Sequence, residues 1–273
     1  VDRELGDDVS EMLYNAARQT WDNRKGGLGE LIVPFDDFSG VRAINASNLK
    51  DGTLMNIGFD GVGTKMELAE RIGDHSTIAY DLFAMVCDDA VVRGAEPVMI
   101  GSILDVNSLK DRNDKPYFTE VKQLAEGYIN AANAAHVAVV NGEVAELGNR
   151  VGGYGSNNFV ATLAHEYIAK CLNQHNYKSI SKLSWWVNET NEKKRAALVK
   201  KMSHPEIEFV DSITKLSTLN YNWGAAVVWF ADEKRMFTGK EIQEGDTLVG
   251  LREEGFRSCL LYTSPSPRDN TGS

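Results

Sequence analysis

NIGFDGVGTKM, residues Asn56 to Met66, is the stretch on which the reading of this chain turns. An apolar run, Leu54 to Phe59, is expected to form a short strand that delivers Asp60 at its end. A Walker-type phosphate loop needs G-x-x-x-x-G-K-[ST], with lysine directly after the last glycine. Here Thr64 precedes Lys65, and Gly61 and Gly63 stand too close together, so that loop is excluded. What remains is an acid at a strand end, two glycines that permit close backbone approach, and a cation at a helix start. Such an arrangement can hold a metal on Asp60 while the loop and Lys65 face phosphate. A plain turn before a capped helix accounts for the stretch equally well. Thr64-Lys65-Met66-Glu67 has capping-box spacing, which predicts a helix with Thr64 as its N-cap.

Working outward, Asp7 to Arg24 reads as a helix, with Val9, Met12, Leu13, Ala16, Ala17 and Trp21 at helical spacing. Lys25-Gly26-Gly27-Leu28-Gly29 breaks it and leads to a strand-like Glu30 to Phe35. A helix over Ser76 to Arg93 stops at Gly94, with Pro97 beyond. Val98 to Val106 reads as a strand, Tyr117 to Ala135 as a helix, and Val137 to Val140 as a buried strand. Trp223 to Ala231 and Thr247 to Leu251 read as two more. The expectation is an α/β fold, a mixed sheet with helices on one face. Between Phe159 and Leu219 the character changes to basic, helix-prone sequence with an exposed-looking Trp185-Trp186 pair, which suggests an inserted helical subdomain.

The net charge of -10 argues against a nucleic-acid partner held by electrostatics. No apolar run approaches the ~20 residues of a membrane span. Cys87, Cys171 and Cys259 lack metal-ligand spacing, so a reduced cytoplasmic setting is expected. The first residue is Val1 rather than Met, and a fragment is expected. From Cys259 the chain reads CLLYTSPSPRD, which is one reading frame of a common transposase-type sequencing adapter. Residues 259–273 are therefore taken as an artefact and set aside.

Two further clusters carry chemistry. In Asp81-Leu-Phe-Ala-Met-Val-Cys-Asp88-Asp89, helical geometry puts Asp81 and Asp88 on one face, with Asp89 further round. Carboxylates in so apolar a helix need a metal, a cation or hydrogen bonds, and Arg93 offers Asp89 a purely structural partner. Asn141-Gly142-Glu143 follows an apolar run, which places Glu143 at a strand end, either as a ligand or as a solvated turn. Of the histidines, only His75 lies close to the proposed site.

These blocks, in this order, resemble the aminoimidazole ribonucleotide synthetase (phosphoribosylformylglycinamidine cyclo-ligase) family. The matching residues are Gly26-Gly27-Leu28-Gly29, Asp60 to Lys65, His75 to Met85 with Asp81, Asp89, Gly94 to Pro97, Gly142-Glu143 and Tyr221-Asn222. The resemblance implies ATP-dependent closure of formylglycinamidine ribonucleotide to an imidazole in purine biosynthesis, and a homodimer formed by pairing sheets of the first domain. It implies Mg²⁺ on Asp60, Asp88, Asp89 and Glu143. Nucleotide contacts would come from Gly26, Gly27, Gly29, Asp60, Gly61, Gly63, Thr64, Lys65, Asp81, Asn141 and Gly142, with Lys65 and His75 as the catalytic side chains. The implied layout is an ATP-binding and dimerisation domain over 1–158 and 220–246, the insertion at 159–219, and the start of a truncated second domain at 247–258, a chain expected to be inactive alone. Departures include Asp88 where the family has Asn and Val144 where it has Thr. Related ATP-using enzymes (selenophosphate synthetase, hydrogenase-maturation and thiamine-phosphate kinase types) and a non-catalytic nucleotide-binding module remain alternatives.

Overall fold

Strand alternation sorts the central residues into two faces. In β4 (Glu96–Val106), Ile100, Ser102, Leu104 and Val106 are buried, while Gly101, Ile103 and Asp105 point the other way. The computed structural model describes residues 2–32, 42–111, 114–152, 167, 170–171, 173–174, 177–189, 191–207 and 219–250. Its main sheet has four strands in the order β3-β6-β4-β5. β3 (Thr53–Gly61) and β4 run antiparallel to the central β6 (Tyr221–Asp232), and β5 (Ala138–Glu146) pairs parallel with β4. A two-residue pair, β1 (Leu31–Ile32) and β2 (Ala43–Ile44), stands apart. The adapter-like residues 259–273 and residues 33–35 of the first expected strand lie outside the described residues.

Helices α1 (Arg3–Arg18), α3 (Ile78–Val91) and α4 (Phe118–Ala135) cover one face of this mixed sheet. Leu82, Phe83 and Val86 of α3, Leu124 and Tyr128 of α4, and Val9 of α1 meet Ile100, Leu104, Tyr221, Trp223 and Val227 there. Each fully buried side chain of this size contributes about 1.5–3 kcal/mol. The other face is bare among the described residues. Met55, Ile57, Phe59 and Ile103 are exposed on it, Phe59 at 77%.

Several boundaries differ from the sequence reading, each for a local reason. The first helix runs from Arg3, capped by Asp2 accepting from the Leu5 amide, and stops at Arg18 rather than Arg24. Thr20 turns the chain, its hydroxyl donating to Ala17 O and accepting from Val139 N, so Trp21–Arg24 forms a 3₁₀ turn against the β5 edge. No capping box forms at Thr64. Gly63–Lys65 is a 3₁₀ turn, and the seven-residue α2 (Met66–Ile72) starts from Lys65 without a side-chain cap. β5 continues to Glu146 because it stays paired with β4, so Glu143 lies mid-strand rather than at a strand end. Residues 247–250 form no strand, and Leu248 and Val249 are exposed. In the 159–219 region, α5 (Tyr177–Asn188) and α6 (Glu192–Val199) share a small separate cluster of Leu183, Trp186 and Met202. Trp185 is exposed as expected, but Trp186 is buried, with the Arg195 guanidinium 4.7 Å from its ring centre.

Candidate functional site

The bare face carries a cleft of about 690 Å³ where β3 ends. Register explains its shape. Phe59, Ala226, Gly101 and Asn141 form one row across the sheet, and Gly61, Gly224, Ile103 and Glu143 the next. Ala226 and Gly101 in the first row and Gly61 and Gly224 in the second leave a trough between Phe59 on one side and Asn141 and Glu143 on the other. Asp60, Asp105 and Asn222 also line it. Asp60 Oδ1 accepts from the Gly61 amide at 2.7 Å, and Asn141 Oδ1 accepts from the Gly142 amide at 2.9 Å, so both side chains are turned back onto the backbone.

Three carboxylates line one cleft, and they repel a bare phosphate. Among the described residues no group of three or more His, Cys, Asp or Glu side chains is placed to hold a metal ion. An all-protein metal cage does not fit these residues. A Mg²⁺ shared with phosphates needs only one or two carboxylates and keeps several waters, and the cleft does fit that arrangement.

The structure gathers some of the expected site residues and separates others. Asp60, Gly61, Asn141, Gly142 and Glu143 border the same cleft. Gly63, Thr64 and Lys65 follow directly, anchored by the Val62 amide donating to Trp223 O at 3.0 Å. Asp88 and Asp89 lie elsewhere. Their helix ends against Ala95 and Ala231, and Ala231 is six residues along β6 from the Ala225 that pairs with Asp60, a separation of ~20 Å. An assembled Asp60–Asp88–Asp89–Glu143 centre is therefore absent among the described residues. Gly26, Gly27 and Gly29 are also at the far end. Arg24 ties that turn down through Leu28 O, His136 O and Glu96. Gly29 adopts φ +77, and a Cβ there would sit 2.7 Å from Val98 Cβ, so this glycine serves packing.

His75 is wholly buried. Its Nδ1 lies 2.9 Å from the Tyr221 hydroxyl, and its amide donates to Gln123 Oε1. Burial pushes the imidazole pKa down, partly opposed by Asp74, and burial with Glu70 and Asp81 nearby pushes the Tyr221 phenol up. This places Asp81 near the Tyr221 end of the helical face, behind the sheet from the cleft. A depressed histidine is neutral in the fold, so the unfolded chain takes the proton first. The His75 contribution to stability is present in full above its unfolded pKa of about 6.5 and is lost as pH falls through that value toward the lower folded one. Urea midpoints should fall between pH 7 and pH 5, and His75→Gln should flatten that dependence. An unchanged slope in the variant removes His75 as its source.

Asp105 escaped the sequence reading, and Asn222, matched within Tyr221-Asn222, was not read as a site residue. The available signal was alternation: Leu104 and Val106 face the core, so Asp105 faces the cleft, yet an otherwise apolar run masked it.

Residues 41–164 match the family described as AIR synthase related protein, N-terminal domain. The matched residues include β3, the turn after it, α3, β4 and β5, and hence Asp60, Asp105 and Glu143. Curated relatives named phosphoribosylformylglycinamidine cyclo-ligase include one from Pyrococcus furiosus, 33% identical over 154 residues, or 56% of this chain and 42% of that protein. Another, from Geotalea uraniireducens, is 35% identical over 118 residues, or 43% of this chain and 32% of that protein. The chain thus matches less than half the length of these relatives. No described helix is long and apolar enough to cross a membrane.

Proposed function

We propose that this chain is the nucleotide-binding part of an ATP-dependent cyclo-ligase that closes formylglycinamidine ribonucleotide to aminoimidazole ribonucleotide in cytoplasmic purine biosynthesis. The observation that carries the reading is the three-carboxylate cleft, set where β3 of the AIR synthase related domain runs into the Gly63–Lys65 turn. Bound Mg²⁺–ATP supplies a transferable phosphoryl group that activates an amide oxygen toward attack by nitrogen. In this reading Asp60 holds the ion together with waters and phosphate oxygens, Asn141 and Asn222 hydrogen-bond polar groups of the ligands, and Lys65 offsets phosphate charge. The ion reconciles an acidic chain with an anionic nucleotide.

The same reading makes the bare face a dimer surface. Met55, Ile57, Phe59 and Ile103 form an apolar face that a second copy covers with its own, while 159–219 stands as a separate inserted unit. Nucleic acid is not a partner in this scheme.

Calorimetric titration of ATP, with and without Mg²⁺, tests the site. Binding should require Mg²⁺, and Asp60→Asn should weaken it at least tenfold, or about 1.4 kcal/mol. Unchanged affinity would remove Asp60 from the metal role. Because the match spans 42% of the Pyrococcus furiosus relative, a binding module without turnover is the second reading. Mg²⁺-dependent ATP binding without ADP release in the presence of formylglycinamidine ribonucleotide is its signature, and ADP release favours the first reading.

A further inference from the structure

Charge in the open-face cleft does not balance on the ion alone. A Mg²⁺ shared with phosphates takes one or two carboxylates, and the cleft offers Asp60, Asp105 and Glu143. Asp60 is the one of the three that runs into the Gly63–Lys65 turn. Its Oδ1, like that of Asn141, accepts from the next backbone amide. Asp105, Glu143 and Asn222 differ, since among the described residues their side chains make no hydrogen bond or ion pair. Asp105 is also half-buried. A carboxylate partly withdrawn from water gains from any cation or donor that reaches it.

Register puts these three groups together. Asp105 stands directly opposite Asn222 on the antiparallel β4–β6 ladder, a pairing that sets Cβ atoms about 4.5–5.5 Å apart. Both point to the bare face, because Leu104, Val106, Tyr221 and Trp223 point to the core. β3 stops at Gly61 opposite Gly224, so no β3 residue pairs with Asn222 and the trough is open at this end. Glu143 pairs with Ile103, two residues back along β4, which brings its backbone within about 8 Å of that of Asp105.

We propose that Asp105, with Asn222 and Glu143 beside it, is the cation subsite of the cleft and takes the amidinium group of the substrate. This rests on the cyclo-ligase reading, in which formylglycinamidine ribonucleotide carries an amidine. Near neutral pH an amidine is protonated, planar and forked. Its two nitrogens match the two oxygens of one carboxylate, as an arginine guanidinium does. Asn222 Oδ1 accepts a further N–H, and Glu143 adds negative charge at one remove. Position separates the two kinds of cation. Asp60, beside the turn that faces phosphate, holds the ion. Asp105, two strands across the sheet, holds the organic cation.

The test compares formylglycinamidine ribonucleotide with its amide counterpart, in which oxygen replaces the amidine nitrogen and the positive charge is lost. Calorimetric titrations near pH 7.5 should give at least roughly tenfold tighter binding of the amidine by the wild-type chain. Asp105→Asn should bring the two ligands within about twofold of each other, while Mg²⁺–ATP affinity moves by less than about twofold. Circular dichroism checks that the variant folds. If it does not, Asn222→Ala carries the test, with the preference lowered about threefold. Equal wild-type binding of the two ligands would overturn the proposal, as would an unchanged preference in the folded variant. So would no binding of the amidine up to roughly 5 mM. Loss of Mg²⁺–ATP binding together with the preference would also overturn it, because Asp105 would then be a metal ligand. A wild-type chain that shows the preference but binds no Mg²⁺–ATP supports the subsite and sinks the cyclo-ligase reading alone.

Discussion

Phe59→Lys is expected to turn a self-associating chain into a monomer. Phe59 is the most exposed large side chain on the bare sheet face, and Ile57 and Ile103 extend its apolar surface. In an isologous pair each substitution acts twice, once from each copy. Burying a phenylalanine is worth about 2–3 kcal/mol, and the variant also asks each copy to bury an ammonium. The combined loss is at least about 4–6 kcal/mol, a rise of roughly a thousandfold or more in the dimer dissociation constant. Sedimentation velocity over a concentration series measures it. A wild-type chain that stays monomeric, or a variant that associates as tightly as the wild type, ends the proposal that this face pairs with a second copy. The substitution lies on an exposed strand position with no core contact to lose, so folding should survive it.

Trp223→Ala carries the largest expected loss of stability. The residue is 1% exposed, its indole N–H donates to Ser102, and its ring centre lies 5.0 Å from that of Tyr128. It stands on β6 opposite Leu104, in the middle of the core that binds the helices to the sheet. Truncations of this kind cost about 3–5 kcal/mol, part transfer free energy and part residual cavity. At roughly 2–4 °C per kcal/mol for a domain of this size, the melting temperature should fall by about 10 °C. Trp223→Phe, which keeps most of the volume but loses the hydrogen bond, should fall between the two. A shift under about 2 °C for the alanine variant would mean that the core does not close around this ring.

The same residue shows why the two faces were unequally legible. Periodicity over Val98 to Val106 and Tyr117 to Ala135 identified strand and helix because both bury one side, and burial leaves its mark on composition. The turn at Thr20 left no such mark. It depends on a hydroxyl bonding across to Val139, a partner 119 residues away. Nor was the length of β5 readable. Asn141, Gly142 and Glu143 look like a loop, and they are strand only because Gly101, Ser102 and Ile103 pair with them. Tertiary pairing overrides local preference most easily in such polar, glycine-bearing stretches.

By itself, the sequence determined the α/β class, the strand that carries Asp60, and, through the order of its motifs, the family that residues 41–164 match. Local chemistry suffices there, since periodicity and glycine spacing act within a few residues of one another. Which acids share a cleft was decided only by the tertiary structure. Asp60 and Glu143 border one cleft because β6 and β4 intervene in one particular register, and the same register brings in Asp105. Asp88 and Asp89 fall out because α3 runs back along the sheet toward Ala231. His75 reads as a site residue close to the Asp60 stretch and becomes a core residue once Tyr221 closes over it. Distance along the chain constrains the first kind of statement; only packing constrains the second.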